Sequence, residues 1–376
     1  MCPALQVLFQ YPVSGSIADA SKAQRILLVR LSHLGDVVHA LPVFHGLTQA
    51  FPASTLAWAV EREFAGLISP LPGLARTIEV DRRGGWRAWL AFAEELLRFA
   101  PDLVVDCQGN FKSALASLLP GGARRLAPHA LDWQEPAACL ASTQRAERAG
   151  QGRASTRVHA IERAMSLLRL ATGLDLKLGD LRFDPGLTSS EIERAQDDLQ
   201  TRWPECAPGA YMLLLGTGPD PRSWPMEHWR VLALELSRRG RPLLILSGPA
   251  QARAGQELTH GLPPGIRHWI GQRGLRQAAA FFHVCAGRGA RGIGIDSGPM
   301  HLAAACGLPM TLLEGPQWHE RTGPWPVAGS VDSPHRFVRS LTPPSCSPCF
   351  ARSCAHPLGA VCMRNLSPMR VLEGLD

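Results

Sequence analysis

Long hydrophobic runs are missing from this chain: nowhere in 376 residues is there a stretch near the ~18 apolar residues needed to span a bilayer. Met1–Ala20 is mildly apolar but has no early Lys or Arg and no hydrophobic centre. It therefore reads as a loose leader (residues 1–22) and not as a secretory signal. Long Lys/Arg tracts and basic stripes interleaved with aromatics are also absent, which argues against nucleic acid as a partner. Tyrosine is nearly absent, with only two residues. These absences point to the cytoplasm, where the ten cysteines stay largely reduced.

What is present suits a globular protein. The chain is 45% hydrophobic and 19% charged, enough for sizeable cores, and its length is comfortable for two domains. The net charge of +7 favours anionic partners such as phosphosugars or an acidic membrane face.

Short β-rich runs alternate with helical periodicity. RILLVR (25–30) predicts a strand, followed by a turn at Gly35-Asp36 and a helix with apolar residues at helical spacing. Strands are also expected at 55–60, 75–80 and 102–106, with helices at 61–68, 86–99 and from about 111. Between 126 and 156 the pattern dissolves into what reads as a mobile connection, and a helix follows at 158–172. After a polar stretch (184–209) the alternation restarts, with strands at 211–215, 242–246, 292–295 and 310–313. Two successive α/β halves imply two Rossmann-like domains with parallel sheets, facing across a cleft. The expected division is an N-terminal domain at 23–185, a C-terminal domain at 186–340 and a Cys-rich segment at 341–376.

In open α/β sheets ligands sit beyond the carboxyl ends of strands, so the loops that follow strands matter most. LSHLGD (31–36) puts Asp36 just before a helix, either as a helix-capping carboxylate or as a general base. GTGPDPRSWP (216–225) offers Thr217, Gly218 and the fixed charge of Arg222 to a diphosphate leaving group; the alternative is an ordinary polar loop. GIDSGPMHLAAA (294–305) has a tight turn at Asp296-Ser297-Gly298 and then a helix whose start suits phosphate. Asp296 could bind sugar hydroxyls there, and His301 is a ligand or a packed histidine.

Cys346, Cys349, Cys354 and Cys362 are spaced closely enough for tetrahedral thiolate coordination of zinc or iron. Such a site would be structural, not catalytic. Free thiols and disulfides are the alternatives.

Together these segments make the chain similar to glycosyltransferase family 9, the ADP-heptose:lipopolysaccharide heptosyltransferases. The likeness rests on RLSHLGDVVHALP (30–42), WAVEREFAGLI (58–68), DLVVDCQGNFKSALAS (102–117), RVHAIERAMSLL (157–168), RSWPMEHW (222–229), GIDSGPMHLAAACGLP (294–309) and RTGPWP (321–326). The N-terminal half most resembles members that add the first heptose. The resemblance implies a GT-B fold, an ADP-heptose donor, a Kdo-lipid A type acceptor, and inverting transfer with no cofactor for catalysis. It makes Asp36 the general base, Arg222 the diphosphate contact where other members often carry Lys, and Asp296 the heptose-hydroxyl ligand. Ser297 and Gly298 lie beside the phosphates, and Thr217 and Gly218 lie in a donor-contacting loop. Arg62, Arg82, Arg83 and Lys112 are the basic residues expected near an anionic acceptor. Peripheral contact with the anionic inner leaflet is expected from the charge. The cysteine tail resembles a feature of autotransporter heptosyltransferases, so a protein acceptor is the first rival; a non-catalytic nucleotide-sugar-binding protein is the second.

Overall fold

The structure, a computed structural model, describes residues 23–133, 135–150, 157–216, 220–271 and 274–375. The expected leader lies outside the described residues. The chain divides into two compact units, Met1–Phe183 and Asp184–Asp376.

In the first unit the elements are β1 (Arg25–Val29), α1 (Leu34–Ala50), β2 (Thr55–Glu61), α2 (Arg62–Ile68), β3 (Leu74–Val80), α3 (Gly85–Phe99), β4 (Leu103–Asp106), α4 (Phe111–Leu118), β5 (Arg124–Ala127), β6 (Gln144–Arg145) and α5 (Ala160–Thr172). The sheet is parallel, in the order β3-β2-β1-β4-β5-β6. Its central strands are continuous apolar runs because helices cover both faces. Leu27, Val29, Ala57, Ile78 and Val104 meet Phe92, Leu96 and Phe99 of α3 on one of those faces.

The second unit contains α6 (Ser189–Arg202), β7 (Tyr211–Leu214), α7 (Met226–Arg238), β8 (Leu243–Ser247), α8 (Ala252–Thr259), β9 (Ile266–Ile270), α9 (Leu275–Gly287), β10 (Arg291–Ile295), α10 (Gly298–Ala305), β11 (Met310–Glu314), α11 (His319–Thr322), β12 (Arg336–Arg339), α12 (Val361–Arg364) and α13 (Pro368–Glu373). Its sheet runs β12-β11-β10-β7-β8-β9. Counted from its own first strand this is the same order as in the first unit, the doubly wound order that reverses direction beside the first strand.

Three expectations need correction. The stretch read as a loose connection carries β5 and β6, and Ala127, Ala130, Trp133, Ala138, Cys139 and Ala141 form a small core with Ala114. Its alanines pack around one tryptophan, which a search for large apolar residues overlooks. The polar stretch 184–209 holds α6, which opens with a capping box between Thr188 and Glu191. The cysteine-rich tail does not stand apart: Met363, Leu366, Val371 and Leu372 join the core around Trp224 and Trp229. Trp224 Nε1 donates to the Leu366 carbonyl at 2.8 Å.

Candidate active site

In the first unit strand order reverses between β1 and β4, so the loops after these strands frame the crevice where a ligand would sit. They are tied to each other. Gln108, buried after β4, accepts hydrogen bonds at Oε1 from the Leu31 and Ser32 N–H groups at 2.7 and 3.2 Å. Asp106 Oδ1 accepts from the Gln108 and Gly109 N–H groups at 2.8 and 3.2 Å. Burial pushes the Asp106 carboxyl up to about 6, against the hydrogen bonds of Gln108, Ser113 and Gly109 and the charge of Arg30.

Asp36 stands on the first turn of α1, a third exposed. Arg30, at the end of β1, pairs with its Oδ2 through Nη2 and donates from Nη1 to the Cys107 carbonyl at 2.5 Å. His33 Nδ1 lies 3.7 Å from the same oxygen. His33 occupies the N-cap position with φ +65°, a left-handed conformation uncommon outside glycine. Asp36 is therefore not the helix cap: its carboxylate is held by a cation that directly follows β1.

The four basic residues of this unit are only partly brought together. Arg82 pairs with Glu61 at 3.2 Å, and Lys112 lies near enough to act on the same carboxyl. Burial raises the Glu61 carboxyl, and Arg82 acts against it. Arg62 is engaged instead by Asp81 at 2.9 Å and Glu79 at 3.5 Å. Arg83 is exposed in the turn before α3.

In the second unit the reversal falls between β7 and β10. Asp296, buried just after β10, faces His301 Nε2 at 2.9 Å, Arg222 Nη1 at 3.7 Å and the Thr322 hydroxyl at 3.5 Å. Arg222 also forks onto Asp220 through Nε and Nη2 at 2.8 and 2.6 Å. That fork is the first cause of the guanidinium's raised pKa, and Asp296 adds to it. Ser297 Oγ is buried without a hydrogen-bond partner among the described residues, and α10 starts at Gly298. Gly216 lets the loop after β7 approach β10: a Cβ there would meet Ile295 Cδ1 at 2.1 Å. Thr217 and Gly218 lie outside the described residues. Arg222, Asp296, Ser297, Gly298 and His301 thus meet at one sheet end.

Sequence reading did not single out Arg30, Gln108, Asp220 or Thr322. Gln108 lies in the VDCQGN turn and Asp220 two residues before Arg222, so both were in view, but only the fold shows what they bind.

The four tail cysteines differ in exposure. Cys346, Cys349 and Cys354 are exposed while Cys362 is buried on α12. Among the described residues no group of three or more His, Cys, Asp or Glu side chains could hold one metal ion. The thiols are still neighbours: burial raises the Cys362 thiol, and the other three sulfurs add to it.

A model of glycosyltransferase family 9 (heptosyltransferase) matches residues 89–357. The lipopolysaccharide heptosyltransferase 1 of Pseudomonas aeruginosa is 30% identical over 384 residues, covering 94% of this chain and 97% of that protein. The enzyme of the same name from Escherichia coli K12 is 30% identical over 308 residues, covering 78% and 88%. The solved structure of E. coli heptosyltransferase WaaC with ADP-2-deoxy-2-fluoro heptose shares the fold, with a TM-score of 0.67 at 23% identity over 94% of this chain and 99% of that one.

Proposed function

The chain belongs to glycosyltransferase family 9, and from that premise we propose that it moves heptose from ADP-heptose to a Kdo-lipid A type glycolipid in lipopolysaccharide inner-core synthesis. The observation that carries the reading is the pairing of Asp296 with Arg222 and His301 at the strand-order reversal of the second sheet. A carboxylate there can accept from sugar hydroxyls, while a guanidinium and a helix start beside it suit a diphosphate.

In this reading the second unit holds the donor. Arg222 and the start of α10 stabilise the charge that builds on ADP as the bond from the anomeric carbon to the phosphate oxygen breaks. Asp296 orients the heptose. The first unit holds the acceptor through Arg82, Lys112, Arg83 and Arg62. Asp36 takes the acceptor hydroxyl's proton as that oxygen bonds to the anomeric carbon from the opposite side, inverting it. Arg30 pairs with Oδ2, and in this reading Oδ1 is the oxygen that takes the proton.

ADP release from ADP-heptose, with and without Kdo-lipid A, tests this. Acceptor-dependent release is expected, with turnover falling about 10²–10⁴-fold in Asp36→Asn. Release that ignores the glycolipid, or an Asp36→Asn variant with near-normal turnover, overturns the acceptor or the base respectively. The likeness to glycolipid enzymes along nearly the whole chain favours this acceptor over a protein.

Two further expectations belong to the same proposal. The enzyme works in the cytoplasm, in peripheral contact with the anionic inner leaflet; the +7 charge supports this, and no helix among the described residues is long and apolar enough to cross a membrane. A structural zinc or iron ion at the cysteine tail would have to draw three exposed thiols toward Cys362. One such ion per chain, in protein purified without chelators, would support that expectation.

A further inference from the structure

Helix α3 has two apolar faces, and only one of them is packed into a core of described residues. Phe92, Leu96 and Phe99 pack under the sheet. Trp86, Leu90 and Leu97 fall within about 40° of one another on the helix, turned away from that core and exposed, Trp86 to 68%. Neighbouring α4 contributes Ala116 to the same core, so it covers the same face of the sheet. Its Phe111, Leu115 and Leu118, at i, i+4 and i+7, form a second exposed stripe, with Phe111 57% accessible. Two adjacent helices thus present outward apolar stripes, where an ordinary surface helix would be polar.

The chain segments that carry these stripes are mainly basic, although Glu135 accepts from the Phe111 N–H at 2.6 Å at the start of α4. From Arg82 to Ala93 the chain has three arginines and no Asp or Glu, and between Asp106 and Asp132 it has Lys112, Arg124 and Arg125 and no carboxylate. Arg87 lies over the Trp86 ring, 5.4 Å from its centroid. α3 carries two carboxylates: Glu94, exposed and within about 20° of Arg87 around the helix, and Glu95, which pairs with Arg76 at 3.5 Å. A second copy of this chain on the same face would set arginine against arginine.

We propose that the outer face of α3 and α4 docks the first unit on an anionic bilayer, with the two stripes in the interfacial layer and the basic residues against lipid headgroups. This deepens the peripheral contact proposed above by naming the surface that makes it, and it does not depend on which sugar is transferred.

The test is co-sedimentation of the full chain with vesicles containing phosphatidylglycerol, compared with neutral phosphatidylcholine vesicles, at low salt. The wild type should pellet with the anionic vesicles only. The paired variants Trp86→Ser/Leu90→Ser and Phe111→Ser/Leu115→Ser should each bind at least about tenfold more weakly, with unchanged thermal melting. Should a serine pair fail to fold, Arg87→Glu/Arg98→Glu gives the same reading and should abolish pelleting. A wild type that stays in the supernatant overturns both the contact and the face. Variants that bind as well as wild type overturn the face alone, as does a stripe variant that only converts a dimer to a monomer.

Discussion

Arg222 does not wait as an open cation for phosphate: Asp220 takes its Nε and Nη2 in a two-pronged hydrogen bond, leaving Nη1 directed at Asp296. Burial would raise the Asp220 carboxyl, but the hydrogen bonds and charge of Arg222 outweigh it, and its pKa lies below the usual carboxylate range. Both groups are therefore charged at neutral pH, and a diphosphate must compete with a carboxylate two residues away. The Asp220→Asn variant should lower the KM for ADP-heptose about three- to tenfold, most at low ionic strength. A higher KM would mean that Asp220 serves to aim the guanidinium.

Gln108 acts through the loop that carries Asp36. In Gln108→Leu the Leu31 and Ser32 N–H groups lose their acceptor, at a cost of about 1–3 kcal/mol. Turnover should fall by at least about tenfold, while the donor dissociation constant stays within twofold or so. Calorimetric donor binding and steady-state kinetics on one preparation would check both. A loss of donor affinity equal to the loss in turnover would refute the assignment.

Asp106 ties stability to pH. Its folded carboxyl titrates near 6, above the value of about 3.9 for a free aspartate. Between these values the folded chain binds the extra proton, so folding is favoured at low pH and weakens as pH rises toward 6. Above that the full cost is present, up to about 3 kcal/mol. Asp106→Asn keeps an oxygen for the Gln108 and Gly109 N–H groups and should raise the melting temperature at pH 8 far more than at pH 4. An equal shift at both would show that the charge is not the cause.

The contact between Gly216 and Ile295 is steric. Gly216→Ala puts a methyl 2.1 Å from Ile295 Cδ1 and should raise the donor KM by about tenfold or more as the loop moves away from β10. Trimming the partner, as in Gly216→Ala/Ile295→Ala, should restore part of the affinity. A double variant no better than the single one would locate the defect elsewhere.

Strands such as RILLV and LLILS (243–247) were legible because buried parallel strands are continuous apolar runs, and the helices between them because apolar residues recur at helical spacing. Strand β9 and helix α9 went unseen: Arg267 and His268 interrupt the apolar run of IRHWI, and α9 buries small residues such as Ala279 and Ala280 beside Phe281 and Phe282, with no clear stripe at helical spacing. The tail was misjudged for a different reason. Its cysteines suggested a local site, whereas its structural work is done by Met363, Leu366, Val371 and Leu372 against Trp224 and Trp229, more than a hundred residues earlier in the chain.

From the sequence alone came the two α/β halves, the loops that carry chemistry and the family, because periodicity and motif order are properties of neighbouring residues. Tertiary structure alone decided that Arg30 holds Asp36, that Gln108 anchors the Leu31–Ser32 loop, that Asp220 competes for Arg222, and that the stripes of α3 and α4 face outward. Each of these depends on which groups a parallel sheet brings together at its carboxyl edge or leaves uncovered on its outer layer, and crossover connections put such groups far apart in the chain.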